Sequence, residues 1–177
     1  MALGTEKAIF DTFEEMLEES SFEKIAVLNL SKRCGISPNT FYYHFEDIYD
    51  LLSKWFENKR KDWFKEGDFK GSLEELFHYC KDHKKLIYHI YHSLSRDYLE
   101  RMVFTYEKET LTNYFKNVPE LRKFSKDEMD ELTDFVLYGL TGTFIKFMWS
   151  DMSEDISTVV NSANNFLEGY IKYFINR

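Results

Sequence analysis

The residues from Ala26 to Phe45 read A-V-L-N-L-S-K-R-C-G-I-S-P-N-T-F-Y-Y-H-F and predict two short helices joined by a tight turn. Gly35 lies where the first helix must end in a left-handed residue, a conformation that glycine adopts with little strain. Ser37 and Pro38 then supply an N-cap and a first helical position whose fixed φ suits a new helix. The sequence therefore predicts a sharp break between two helices at this glycine.

Apolar and polar residues fall on different sides of these two helices. The apolar residues recur at helical spacings that can face one small core: Val27, Leu30, Cys34, Ile36, Phe41 and Phe45. The other side chains of the second helix should point outward: Asn39, Thr40, Tyr42, Tyr43 and His44. A helix that presents such a row can reach base edges and phosphates in the major groove of DNA. A capped helical hairpin in any all-α protein would show the same spacing, so this pattern leaves both interpretations open.

The stretch from Cys34 to Leu52, C-G-I-S-P-N-T-F-Y-Y-H-F-E-D-I-Y-D-L-L, closely resembles the signature of the TetR family of bacterial transcriptional regulators. The glycine turn, the threonine, the aromatic-rich Y-x-H-F run and the leucine that follows are all present. By motif the resemblance covers about Thr5 to Trp55, and the remainder agrees in length and helical character. Within the family, the stretch is most similar to a Firmicute subgroup that includes the activator of dihydroxyacetone kinase operons.

This resemblance implies an all-α protein with two domains. Residues 1–50 would form a three-helix, helix-turn-helix DNA-binding domain, and residues 51–177 a helical effector-binding and dimerisation domain. The implied partner is a near-palindromic double-stranded DNA operator, bound by a homodimer. The candidate DNA-binding residues are Lys24, Lys32, Ser37, Asn39, Thr40, Tyr42, Tyr43 and His44.

Two positions depart from the family. Ala26 stands where TetR-like proteins often have a threonine that caps the helix and contacts phosphate. Ile48 stands where they often have a lysine close to the DNA backbone. Phosphate contacts position the protein and strengthen binding without reading sequence. The departures therefore predict a lower affinity with an unchanged docking mode.

The charge distribution is uneven. The net charge of -8 argues against a nonspecific nucleic-acid binder, for which a basic excess is expected. Residues 24–45 nevertheless contain Lys24, Lys32 and Arg33 and no acid. Acids return directly afterwards, at Glu46, Asp47 and Asp50, and should repel phosphate. We therefore expect DNA binding that is specific, modest in strength and sensitive to salt.

Composition indicates a globular protein. Of the 177 residues, 44% are hydrophobic and 18% aromatic, which is enough for a sizeable core. No apolar run approaches the roughly 20 residues of a membrane span, and the N-terminus lacks a charged region followed by an apolar one, so we expect no membrane association and a cytoplasmic location. Cys34 and Cys80 are too few for a disulfide framework and are expected to be reduced thiols, with Cys34 buried.

Helical periodicity extends beyond the hairpin in both directions. The predicted helices are Leu3–Glu19, Asp47 to about Lys65, Ser72–Lys81, Lys84–Ser93, Arg96–Phe115, Ser125 to about Met152, and Ile156–Ile175. Gly67, Asp68 and Gly71 mark the clearest boundary between them. Ser125 opens a predicted capping box.

Aromatic and histidine side chains are concentrated in the middle helices, where TetR-like proteins surround an effector cavity. The candidate pocket residues are Trp55, Trp63, Phe77, Tyr88, His89, Tyr91, His92 and Phe104. An aromatic core without a ligand explains the same residues, so both interpretations stay open. His89 and His92 have a spacing that can chelate a metal, but no carboxylate follows on the next turn of that face. We therefore predict neither a metal site nor a cofactor.

The last two helices carry apolar stripes too broad for one internal neighbour. Such stripes suit a symmetric four-helix interface between two subunits, as the resemblance also implies. Gly139 and Gly142, one turn apart, permit close approach of another helix. The residues expected at the interface are Phe135, Gly139, Gly142, Val159, Ala163, Phe166 and Tyr170.

The sequence contains no Gly-rich phosphate loop, nucleophile elbow, H-E-x-x-H or paired-cysteine motif, so we expect no enzyme. The main prediction is a DNA-binding regulator controlled through its C-terminal domain by a small-molecule effector or a protein co-regulator. The alternative is a helical protein–protein interaction module with weak or lost DNA binding. Ala26, Ile48 and the acids after the turn favour that alternative.

Overall fold

A computed structural model describes residues 2–65 and 68–175 of the chain. Across these residues the regular elements are helical, which confirms the predicted all-α class. The elements are α1 (Ala2–Glu19), α2 (Val27–Cys34), α3 (Pro38–His44), α4 (Ile48–Trp63), α5 (Phe69–Asp82), α6 (Lys84–Tyr91), α7 (Arg96–Lys116), α8 (Lys126–Trp149) and α9 (Ile156–Ile175), with 3-10 turns at Phe22–Lys24 and Pro119–Lys123.

The chain divides into two compact units. The N-terminal unit consists of Met1–Asp62 and His83–Arg96, and therefore contains α6 as well as the first helices. The C-terminal unit consists of Trp63–Asp82 and Asp97–Arg177. The functional division at residues 50 and 51 stays a prediction, because a compact unit does not reveal which activity it carries.

Helix α1 runs through the core of the N-terminal unit and contacts both α2 and α6. Its residues Ile9, Phe13 and Leu17 recur every four positions and are completely buried. The ring of Phe13 meets those of Phe22 and Trp55 edge-on, with centroids 6.2 and 6.1 Å away. Aromatic pairs in this geometry stabilise a core beyond the area that they bury. The first helix therefore braces the hairpin.

The C-terminal end of α1 is acidic, and neighbouring elements supply partners for its carboxylates. Acids at this end of a helix are unfavourable because the helix dipole is negative there. The Nζ atom of Lys59 in α4 lies 2.7 Å from Glu14, whose carboxylate also lies 3.4 Å from the Trp55 indole nitrogen. The Nδ1 atom of His83 lies 3.6 Å from Glu18. These contacts tie α1 to α4 and to the residue that precedes α6.

The core of the C-terminal unit joins α7, α8, α9 and the second 3-10 turn. Its buried residues are Leu111, Phe115, Leu121, Met129, Leu132, Val136, Leu137 and Leu167. The predicted capping box starts α8: the Ser125 backbone N–H donates to the Glu128 carboxylate at 2.8 Å, and the Glu128 N–H donates to the Ser125 hydroxyl at 3.2 Å. No helix in the described part of the chain combines the length and the apolarity that a bilayer crossing requires.

Helix α5 begins at Phe69, three residues before the predicted start at Ser72. The reason is local, since the Asp68 carboxylate accepts a hydrogen bond from the Gly71 N–H at 2.7 Å and so caps the new helix. A Cβ atom at Gly71 would clash with this carboxylate, which explains the glycine inside a first helical turn. Gly67, the other glycine of the predicted boundary, lies outside the described residues.

Helix α8 ends at Trp149, before the predicted end near Met152. Asp151 and Met152 adopt positive φ angles of 58° and 55°, which a continuing helix does not allow. The Met152 side chain is buried, and burial of this apolar group compensates for the strained backbone.

Candidate nucleic-acid interface

Helices α2 and α3 meet at the turn that the sequence predicts. Gly35 has φ 72° and ψ 25°, the left-handed conformation, and the N–H of Ile36 closes the helix end on the Ser31 carbonyl at 3.0 Å. The Ser37 hydroxyl accepts a hydrogen bond from the Thr40 N–H at 3.1 Å, and Pro38 is the first residue of α3. The predicted cap, turn and helix start are all confirmed.

The inner face of this hairpin is narrower than predicted. Leu30, Phe41 and Phe45 are buried, and the Phe45 ring lies 5.4 Å from that of Phe41. The other three predicted core residues are only half-buried: Val27, Cys34 and Ile36. Val27 and Cys34 lie at the two ends of α2 and Ile36 lies in the turn, where fewer neighbours surround a side chain. The prediction of a buried Cys34 is therefore wrong.

The outer face of α3 carries the predicted polar and aromatic row. Tyr43 is 81% exposed and Tyr42 57% exposed, and Asn39 is also exposed. Thr40 and His44 are half-buried, with the Thr40 hydroxyl oxygen 2.9 Å from that of Ser37 and the His44 ring 5.1 Å from the Tyr43 ring. Tyr42 and Tyr43 thus add two exposed aromatic rings to the polar groups on this face.

Residues 24–37 contain three cations, and only two of them remain available to a ligand. Lys24 and Lys32 are exposed and make no ion pair within the described part of the chain. Arg33 instead forms a bidentate ion pair with Glu19 of α1, in which its two terminal nitrogens lie 2.5 and 2.7 Å from the two carboxylate oxygens. One of these nitrogens also donates to the Glu15 carboxylate at 3.1 Å. The hydrogen bond with Glu19 is the main reason why the pKa of Arg33 is raised and that of Glu19 lowered. The prediction that counted Arg33 among the cations of the DNA face is wrong, because Glu19 neutralises the Arg33 charge.

The acids after α3 have a structural role that sequence reasoning missed. Asp47 caps α4, since its carboxylate accepts the N–H groups of Tyr49 and Asp50 at 2.8 Å each. Asp50 accepts the Nζ of Lys54 at 2.8 Å, and that ammonium also donates to the His44 carbonyl at 3.2 Å. The end of α3 is thereby tied to α4. The signal was present in the sequence, because an aspartate directly before a helical pattern is a common N-cap.

Helix α2 presents a second feature that sequence reasoning missed. Its N-cap, Ala26, has an extended conformation and makes no side-chain hydrogen bond, in line with the predicted loss of a capping hydroxyl. Leu28, in the first turn, is 67% exposed. An exposed leucine cannot be recognised from helical periodicity, because residues at the flank of an apolar stripe can fall on either side of it.

The predicted effector residues divide between the two units. Trp55, Tyr88, His89, Tyr91 and His92 belong to the N-terminal unit, and Trp63, Phe77 and Phe104 to the C-terminal unit. Several of them have packing roles: Trp55 contacts Phe13, Phe77 lies 4.8 Å from Phe147, and His89 Nδ1 lies 2.6 Å from the Leu17 carbonyl oxygen. A role in ligand binding stays a prediction.

Within the described residues, no three histidine, cysteine or carboxylate side chains come together as a metal ligand set.

The C-terminal unit has an open cleft of about 400 Å³ at the end of α7. Its walls are formed by Phe64, Thr110, Asn113, Tyr114, Asn117, Val118 and Pro119. None of these side chains is charged at neutral pH, and Phe64, Asn113, Asn117 and Pro119 are exposed, so the cleft is open to solvent. None of them is among the residues predicted from the sequence.

Helices α8 and α9 expose large apolar side chains and glycines on their outer face. Of the predicted interface residues, Phe135, Gly139, Gly142 and Phe166 are exposed, with Phe166 81% accessible. Ala163 and Tyr170 are half-buried, and the Tyr170 ring stacks on Phe135 at 4.8 Å. Val159 is instead buried within the chain. A Cβ atom at Gly139 or Gly142 would meet nothing within 4 Å, so packing within the chain does not require these glycines.

Comparisons with known proteins agree with this architecture. A TetR family model described as transcriptional regulator C-terminal region matches residues 67–169, more than half of the chain. One similar solved structure is the dihydroxyacetone kinase operon activator DhaS, with a TM-score of 0.55, 16% identity, and coverage of 96% of this chain and 97% of that chain. Another is a transcriptional regulator of the TerR/AcrR family from Aquifex aeolicus VF5, with a TM-score of 0.53, 18% identity, and coverage of 93% and 98%. At these identities the two structures show a shared fold. No curated protein matches the sequence.

Proposed function

Because the chain belongs to the TetR family of transcriptional regulators, we propose that it binds a near-palindromic DNA operator as a homodimer and is controlled through its C-terminal unit. Regulators of this family bind DNA, typically dimerise and are generally not enzymes. The observation that carries the proposal is the exposed row on α3, held by the turn at Gly35 and the cap at Ser37.

The proposed contacts follow from the chemistry of the exposed groups. Helix α3 enters the major groove, where Asn39, Thr40, Tyr42 and Tyr43 reach bases or sugars. Phosphates are contacted by a second set that shares one member with the first: Lys24, Lys32, Tyr42 and His44. Ser37 lies at the start of α3 and supports the register through its cap.

Dimerisation is proposed to cover the apolar face of α8 and α9. A glycine inside a helix destabilises it by roughly 0.5–1 kcal/mol relative to alanine. Gly139 and Gly142 carry that cost with no internal neighbour that needs the space. Close approach of the same helices from a second copy supplies a reason for both glycines and buries Phe135 and Phe166. Two recognition helices related by a twofold axis then match a palindromic operator.

Control is proposed to act through two states of the dimer that differ in the spacing of their recognition helices. A ligand shifts such an equilibrium only if it binds one state more tightly. A small-molecule effector bound to the C-terminal unit is one form of control. A protein co-regulator at the C-terminal unit is the other form of control, and ligand-dependent shifts of Tm in the purified protein separate the two.

The test is a selection of random or genomic DNA fragments with the purified protein, at low and near-physiological salt. The variant Tyr42→Ala with His44→Ala serves as the test protein. The control is Lys7→Ala with Asp11→Ala, which removes an exposed ion pair from α1. We expect an inverted repeat that wild type and control enrich and the test variant does not. Enrichment of nothing at either salt would leave the interaction module as the better description.

A further inference from the structure

The N-terminal unit exposes few large apolar side chains, and those in the described residues fall within one stretch. They are Leu28, Tyr42, Tyr43 and Tyr49. Leu28 differs from the others because it has no polar group and gains nothing from contact with water. At 67% exposure it leaves most of its hydrocarbon surface unburied and open to contact with a partner.

The contacts of α2 define the direction in which Leu28 faces. Leu30 and Ser31 are buried, and Arg33 is directed to α1 by its bonds to Glu19. Successive residues of an α-helix are turned by about 100°, so Leu28 lies about 140° from Arg33 but only about 40° from Lys32, which is one turn away. Leu28 and Lys32 therefore share a flank of α2 that faces away from the bond to α1.

In helix-turn-helix proteins the helix before the recognition helix crosses the DNA backbone. Lys32 on this flank suits a phosphate, and Leu28 beside it needs an apolar group within reach of the backbone. The base edges of the major groove offer one apolar group, the C5-methyl of thymine. We propose that Leu28 contacts a thymine methyl in each half-site and so determines part of the operator sequence.

This inference rests on the proposed operator binding and adds a specificity residue outside α3. It also suits the scarcity of cations on this face, where Lys24 and Lys32 remain after Arg33 is engaged. A methyl contact adds selectivity for a base without adding charge. Replacement of Leu28 should therefore change which sequence is bound and leave the salt dependence of binding unchanged.

The experiment uses the full-length protein and an operator obtained by selection. Each thymine is replaced in turn by uracil, which removes only the methyl group, and affinity is measured by fluorescence anisotropy for wild type, Leu28→Ala and Asn29→Ala. For wild type we expect one thymine per half-site at which uracil weakens binding about threefold to tenfold, the range for one buried methyl. Leu28→Ala should weaken binding to the thymine operator to a similar degree and show no further loss with uracil there. Asn29→Ala, which changes an exposed neighbour, should keep the full sensitivity to uracil.

The possible outcomes separate this inference from the proposed function. If wild type enriches an operator but Leu28→Ala is as sensitive as wild type to uracil at every thymine, Leu28 contacts no thymine methyl, and the inference is wrong while operator binding stands. If wild type enriches no operator, the proposed function fails and the inference fails with it. Because Leu28 is exposed, a Tm for Leu28→Ala within about 2 °C of wild type is expected to show that folding is intact.

Discussion

Two surfaces of the chain expose large apolar side chains, and they differ in what surrounds them. On α2 and α3, Tyr42 and Tyr43 stand among hydrogen-bonding groups and two available lysines. On α8 and α9, Phe135 and Phe166 stand beside glycines whose missing side chains leave open space. Exposure by itself therefore does not identify a partner. The neighbours do, because DNA requires donors and cations whereas a second helix requires a smooth surface and close approach.

The largest expected effect comes from filling the open space on α8. Gly139→Leu with Gly142→Leu should be tolerated by the single chain, because both positions are exposed, a Cβ at either site meets nothing within 4 Å, and glycine destabilises a helix by about 0.8–1 kcal/mol relative to alanine. The same side chains should prevent close approach of a second copy. We expect a monomer by analytical ultracentrifugation and a loss of operator affinity of about a hundredfold or more, since one chain loses the second half-site.

A matched control is Thr105→Leu, which adds the same side chain at an exposed position of α7. It should remain a dimer with full affinity. If the double glycine variant still forms a dimer, the interface lies elsewhere, and the proposal that the α8 and α9 surface binds a second copy is wrong.

The next effect concerns neighbouring cations on α2. Lys32→Gln should reduce the slope of log affinity against log salt by about 0.9 for each phosphate that the lysine neutralises. Arg33→Gln should leave that slope unchanged and lower Tm, because Glu15 and Glu19 lose the cation that they share. Titrations at several salt concentrations make the comparison. An equal reduction by Arg33→Gln would mean that the Arg33 charge acts on DNA after all.

A smaller effect is expected from acid at the start of α9. Asp155 accepts hydrogen bonds from Ser157 and Thr158, and these lower its pKa to about 2. The pKa of an aspartate in an unfolded chain is about 3.9. Because the pKa in the folded state is lower, this carboxylate contributes its full stabilisation above about pH 4, and the contribution is lost as the pH falls through about 2.

The check is urea unfolding between pH 7 and pH 2 for wild type and Asp155→Asn. The variant should lose less stability across the acid range. Its operator affinity at neutral pH should match that of wild type, because Asp155 lies neither on α2 or α3 nor among the residues proposed for the dimer interface. Identical pH profiles would show that the cap does not form in solution.

The smallest effect tests one buried hydroxyl in each unit. In the described structure, the side-chain oxygens of Ser31 in α2 and Thr141 in α8 are buried without a hydrogen-bond partner. Such a group destabilises the fold by about 1–3 kcal/mol relative to a satisfied one, whereas an apolar replacement of similar shape can be stabilising. Ser31→Ala and Thr141→Val should each raise Tm by about 2–4 °C, measured by calorimetry. A lower Tm would mean that the hydroxyl is satisfied in solution.

The turn of the hairpin and several helix starts could be predicted because their signals are local. The left-handed Gly35, the Ser37 cap and the Ser125–Glu128 box each depend on residues within four positions of one another. The start of α5 at Phe69 was not predicted, although it depends on a cap of the same kind at Asp68. The predicted DNA-contact side chains of α3 are also exposed or half-buried, because the helical spacing of its apolar residues defines the inner face.

Local sequence signals could not predict which neighbour each side chain packs against. Periodicity indicates that a helix has an apolar face but not which neighbour covers it, nor which flank remains in water. Arg33 finds its partner in a helix fourteen residues earlier, and the effector candidates separate into two units with their own packing.

By itself the sequence determined the helical class, the caps at Ser37 and Ser125, the turn between α2 and α3 and the resemblance to a family of regulators, because all of these depend on short-range backbone preferences and on local motifs. The tertiary structure alone decided that Arg33 is neutralised, that Leu28 is exposed and that Gly139 and Gly142 face open space. The physical reason is that charge neutralisation and burial depend on groups distant in sequence, whose positions only the packed chain defines.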